Sequence, residues 1–81
     1  MSKEDVTRVV KECIIEIIPE IPGNAIDINA SLKDMGANSV DRMDIVLQAM
    51  ENLNINVPPV EFGKINNIKG LIDLLHDYSE V

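Results

Sequence analysis

Apolar residues recur at three- and four-residue steps in separate stretches of this chain and alternate at period two nowhere over a useful length, so helices are the elements the pattern supports. In the first stretch Val6, Val9, Val10, Cys13, Ile14, Ile17 and Ile18 fall on one stripe. Ser2 precedes them as a cap, with Asp5 three residues on, and Pro19 with the Pro22-Gly23 pair ends the run. Proline does so because it lacks an amide donor and clashes with the preceding turn; a helix over about residues 3–17 is expected.

A second pattern starts at Asn38-Ser39 and runs to about residue 53, with Val40, Met43, Val46, Leu47, Met50 and Leu53 read as the inward face. Asn54 and Asn56 mark its end. Pro58-Pro59 forbid continuation, and Pro59 suits the first position of a short helix over about residues 60–64. Asn67 caps a last helix over about residues 68–78 that carries Ile68, Leu71, Ile72, Leu75 and Tyr78. The fold class is therefore all-α: one domain over residues 1–81, a small up-and-down bundle of three main helices plus one short helix. A long loop over residues 19–38 joins the first two helices, and loops of that length in a compact domain usually carry function.

Hydrophobic residues make up 46% of the chain, yet Phe62 and Tyr78 are its aromatics, so the core must be aliphatic. Fourteen acids against seven Lys and Arg give a net charge of −7, which repels nucleic acid and anionic membrane and steers toward basic partners. Cys13 has no disulfide partner and lies on the apolar stripe, where it reads as a small hydrophobe. No Cys and His grouping has metal-ligand spacing, His76 reads as a surface residue, and Asp27, Asn29 and Ser31 imitate a calcium loop that fails at Leu32 and Asn38. With no signal peptide or membrane span expected, the pattern suits a cytoplasmic monomer.

Chemistry is concentrated in Leu32-Lys33-Asp34-Met35-Gly36-Ala37-Asn38-Ser39-Val40-Asp41. Ser39 falls where loop becomes helix, so free N–H groups and the positive end of the helix dipole would favour an anion attached to its hydroxyl. Taken alone, Ser39 also reads as an ordinary helix cap. No acid and base pair, Gly-rich phosphate loop or metal cluster accompanies it, so no catalytic residue is assigned and the chain is not expected to be an enzyme.

Gly36-Ala37-Asn38-Ser39-Val40-Asp41, together with Ser31-Leu32 before it, Pro58 after the second helix and Asn67-Ile68 at the last one, resembles the acyl carrier protein family over the whole chain. That family's motif has glycine, a small residue, usually aspartate, then serine, leucine and often an acid. Here Asn38 replaces the aspartate and Val40 the leucine, while Arg42 adds a positive charge to a face that is mostly acidic in fatty-acid carriers. The string from Gly36 to Arg42 is most similar to discrete carriers of polyketide clusters, in particular donor carriers of β-branching cassettes.

The resemblance implies a 4'-phosphopantetheine arm on Ser39, attached by a phosphopantetheinyl transferase, that holds acyl groups as thioesters, malonyl and then acetyl in that subgroup. It implies an acyltransferase and a ketosynthase or HMG-CoA-synthase-like enzyme as further partners. Asp41, Arg42, Asp44, Gln48 and Glu51 would form the docking face, and Val40, Met43, Leu47 and Met50 the acyl pocket or core. A fatty-acid, peptidyl or D-alanyl carrier would share fold and serine; a cofactor-free acidic helical interaction module is the alternative outside the carriers.

Overall fold

The computed structural model describes residues 1–21 and 26–79. The expected all-α bundle is what it contains: helices α1 (Lys3–Ile17), α2 (Ser39–Leu53) and α3 (Ile68–Ser79), with a short 3-10 helix at Pro59–Lys64 between the last two. The Pro22-Gly23 pair lies outside the described residues.

Each start has a local cause. At α1 the Asp5 N–H donates to Ser2 Oγ at 3.1 Å and the Ser2 N–H donates to the Asp5 carboxylate at 3.4 Å, a reciprocal capping box. Bonds from the Ser2 side chain, then its backbone, hold the Asp5 carboxyl below the usual carboxylate range. At α3 the Gly70 N–H donates to Asn67 Oδ1 at 2.7 Å. The N–H groups of Ile68 and Lys69 reach carbonyls of the long loop, Ala30 at 3.0 Å and Ile28 at 2.7 Å. Orphan donors of a helix start are thus used to fix the loop in place. The same loop buries Ile26, Leu32 and Ala37, and an Asx turn from Asp27 Oδ1 to the Asn29 N–H at 2.9 Å gives two residues of the calcium-loop imitation a structural job.

The core is aliphatic: Val6, Val10 and Ile14 of α1 meet Ile45, Ala49 and Leu53 of α2 and Ile68, Leu71, Ile72 and Leu75 of α3. Phe62 and Tyr78 pack against its margin. Cys13 is buried with the α1 stripe, and desolvation pushes its thiol up. Among the described residues no helix is long and apolar enough to cross a membrane.

One expectation is corrected. The inward face of α2 is Ile45, Ala49 and Leu53; Val40, Met43 and Leu47 are exposed, and Val46 and Met50 are half-buried. At 100° per residue the apolar side chains of α2 cover an arc of roughly 220°, wider than one neighbouring face can bury. The buried part of the arc is centred on Ile45 and Ala49, which leaves the Met43, Leu47 and Val40 side to solvent.

Candidate functional site

The segment from Gly36 to Asp41 gives each residue type a separate task. Gly36 has φ +95°, in the left-handed region, and nothing lies within 4 Å of where a Cβ would sit. Backbone conformation, not space, therefore demands glycine there. Its turn is closed by the Gly36 and Ala37 N–H groups donating to the Lys33 and Leu32 carbonyls, both at 3.0 Å. Ala37 is small enough to be buried, which fastens the chain to the core one residue before the cap.

Asn38 is the cap of α2, with an extended backbone (φ −80°, ψ −179°). Its Oδ1 accepts from the Asp41 N–H at 2.8 Å while the Asp41 carboxylate accepts from the Asn38 N–H at 3.4 Å. Ser39 comes next, as the first helical residue. It is consequently relieved of capping: its side chain is exposed and its Oγ accepts from Arg42 Nη2 at 3.2 Å. The Ser39 and Val40 N–H groups, being in the first turn and outside the capping box, have no intrahelical acceptor.

Ser39 stands at one end of a groove of about 600 Å³. Met43, Val46, Leu47 and Met50 line it from α2, Phe62, Ile65, Ile68 and Leu71 from the segments that follow, and Leu32, Lys33, Ser39 and Arg42 complete the lining. Of the residues expected at an acyl pocket, Met43, Leu47 and Met50 line this groove; Val40, 68% exposed, does not. Met50 also holds the following segment, its sulfur accepting from the Val57 N–H at 3.4 Å. Phe62 and Ile65 had no helical periodicity to announce them, and only their proximity to Pro58-Pro59 hints that the connection folds back over α2.

The five charged or polar docking candidates divide. Asp41, Asp44, Gln48 and Glu51 fall on one side of α2 by helical spacing, with Asp44 and Glu51 exposed and Gln48 Nε2 donating to Asn52 Oδ1 at 3.1 Å. Arg42 is separate, half-buried on the groove side.

The chemistry that fits is attachment of an anionic group through an ester to Ser39. The oxygen is exposed, a guanidinium adjoins it, two backbone donors are unspent and an apolar trough begins beside it. The cap and the attachment point being different residues, Asn38→Ala is expected to cost about 1 kcal/mol and lower the melting temperature by about 4–8 °C while leaving Ser39 modifiable. Thermal melts with intact mass check this; Asn38→Asp should melt like the wild type.

Residues 8–75 match the family model described as the phosphopantetheine attachment site. Polyketide biosynthesis acyl-carrier-protein AcpK of Bacillus subtilis is 32% identical over 77 residues, 95% of this chain and 94% of that protein. An acyl carrier protein homolog of Ureaplasma parvum is 27% identical over 70 residues, 84% and 91% of the two chains. In the crystal structure of the Curacin biosynthetic pathway HMG synthase in complex with acetyl donor-ACP, one chain is 39% identical and superposes with a TM-score of 0.82, covering 91% of this chain and 95% of that one. With the motif, the bundle and the matched span in agreement, the chain belongs to the phosphopantetheine-attachment family of acyl carrier proteins.

Proposed function

We propose that this protein is a discrete polyketide-pathway carrier that bears phosphopantetheine on Ser39 and supplies an acetyl unit to an HMG-synthase-like enzyme in β-branching. The observation that carries the attachment point is the division of labour at the start of α2: Asn38 caps, so the Ser39 hydroxyl is exposed and uncommitted to the backbone. Likeness to a polyketide carrier and to a chain crystallised with an HMG synthase supports the pathway and the partner. Once attached, the arm supplies a thiol on which an acyl group can be carried as a thioester.

The protein's own residues do the rest. Ser39 is a substrate nucleophile without a base of its own, since its side-chain neighbour Arg42 is a donor that cannot take a proton. A phosphopantetheinyl transferase therefore provides the activation, and the carrier is a substrate rather than a catalyst. The groove wall of Met43, Leu47, Met50 and Phe62 shields apolar cargo. Asp41, Asp44, Gln48 and Glu51 meet a basic partner surface, and the exposed Val40, Met43 and Leu47 give that contact an apolar centre. We place this monomer in the cytoplasm, loaded by an acyltransferase with malonyl, which loses its free carboxyl as CO2 and takes up a proton to become the acetyl donor.

Acetyl transfer from the loaded protein to an HMG-synthase-like enzyme of a β-branching pathway should exceed transfer to a fatty-acid ketosynthase by about tenfold, equivalent to about 1.4 kcal/mol of discrimination. Intact mass of the carrier over time measures both. Equal transfer to the two enzymes would move the protein to the fatty-acid carriers, and cargo accepted only as aminoacyl groups would move it to the peptidyl or D-alanyl ones.

A further inference from the structure

Arg42, like Lys11, Lys33 and Lys69, has no ion pair among the described residues, and what distinguishes it is its contact with the Ser39 hydroxyl. Arg8 lies 3.4 Å from Asp5 and 3.9 Å from Glu12, Lys64 lies 2.9 Å from Glu61, and Lys3 lies 2.6 Å from Asp73. In a protein with fourteen acids Arg42 has no carboxylate within ion-pair distance among the described residues, although it is half-buried. Its Nη2 is directed instead at a neutral oxygen, Ser39 Oγ, 3.2 Å away. A half-buried guanidinium that, among the described residues, meets a hydroxyl and no carboxylate is placed to take an anion introduced at that hydroxyl.

We propose that Arg42 is a positioning residue for the arm: its guanidinium pairs with the phosphodiester formed on Ser39 and holds the first atoms of the arm at the mouth of the groove. The inference rests on the assignment of Ser39 as the attachment point. The i, i+3 spacing brings the Arg42 side chain back over the preceding turn, where Ser39 is. Esterification turns the hydroxyl from a neutral acceptor into the root of a group whose two non-bridging oxygens share one negative charge and match the fork of a guanidinium. Asp41, two residues on, carries a carboxylate engaged with the Asn38 N–H, so Arg42 also offsets the repulsion between that acid and the new phosphate. Five donors on one guanidinium leave some for an acidic group on a docked enzyme.

Wild type, Arg42→Gln and Arg42→Lys are each converted to the arm-bearing form, isolated by intact mass and followed by phosphorus-31 NMR from about 10 mM to 1 M salt, over which the screening length falls from about 30 Å to 3 Å. The wild-type resonance should move with salt toward a limiting position, Arg42→Gln should sit at that limit throughout, and Arg42→Lys should fall between. Removal of the arm by a phosphodiesterase at low salt should be about two- to fivefold faster in Arg42→Gln. Melting curves of the unmodified proteins separate these effects from any change in fold. Identical phosphorus positions in wild type and Arg42→Gln across the titration would overturn the pairing while leaving Ser39 as the attachment point. A chain that gains no mass overturns both assignments before any resonance is read.

Discussion

Ser39→Ala should yield a protein that folds like the wild type and gains no phosphopantetheine at all. Incubated with CoA and a phosphopantetheinyl transferase, the wild type is expected to rise by one arm in intact mass and the variant to remain unchanged. The loss is complete because the bond to phosphorus is made by the hydroxyl oxygen itself, and water or a neighbouring serine cannot stand in for it at that position. The fold should survive because, among the described residues, the hydrogen bond of the Ser39 side chain is the one from Arg42, while Asn38 and Asp41 carry the cap. Exposed positions free of such features usually change stability by less than about 0.5 kcal/mol. The pairing of this variant with Asn38→Ala separates two jobs that adjacent residues could have shared: one removes modification and spares stability, the other does the reverse. A wild type left unmodified by several transferases, or a Ser39→Ala protein that still gains the arm, would remove Ser39 from its assigned role.

What could be seen in the amino-acid order was the chemistry that acts over one turn. Ser2 with Asp5, Pro58-Pro59 and Asn67 announce helix boundaries because caps and proline operate on their immediate neighbours. The same locality makes Gly36, Ala37, Asn38 and Ser39 legible as a turn that delivers a hydroxyl to a helix start. Contacts across the chain were not legible. No pattern says that the Ile28 and Ala30 carbonyls accept from Lys69 and Ile68, nor that Phe62 and Ile65 return to wall a groove against Met43 and Leu47. Arg42 lay between these cases: its charge suggested partner selection, while its i, i+3 relation to Ser39 was an available signal for the contact that the structure contains.

The wide apolar arc of α2 is where periodicity misdirects, and it leads to the second large expected effect. Ile45 is fully buried and Leu47 is 52% exposed, although the sequence pattern favours Leu47 as the inward residue. Ile45→Ala should therefore cost about 2–5 kcal/mol by loss of burial and formation of a cavity among tightly packed neighbours. An 81-residue domain is expected to have only about 4–12 kcal/mol in total, so the variant loses a large share of its folded population on mild denaturation. Leu47→Ala should shift the urea midpoint little, within about 0.5 kcal/mol, because half of its surface is already in water. Its effect should fall on function instead: slower transfer to the cognate enzyme, and weaker shielding of apolar cargo in the groove that Leu47 lines. Urea titrations of both variants with unchanged slope, alongside transfer rates, test the orientation of the helix that presents the arm. Comparable destabilisation by the two substitutions would mean that Leu47 is packed inside, and a docking face built on Val40, Met43 and Leu47 would have no apolar centre to offer a partner.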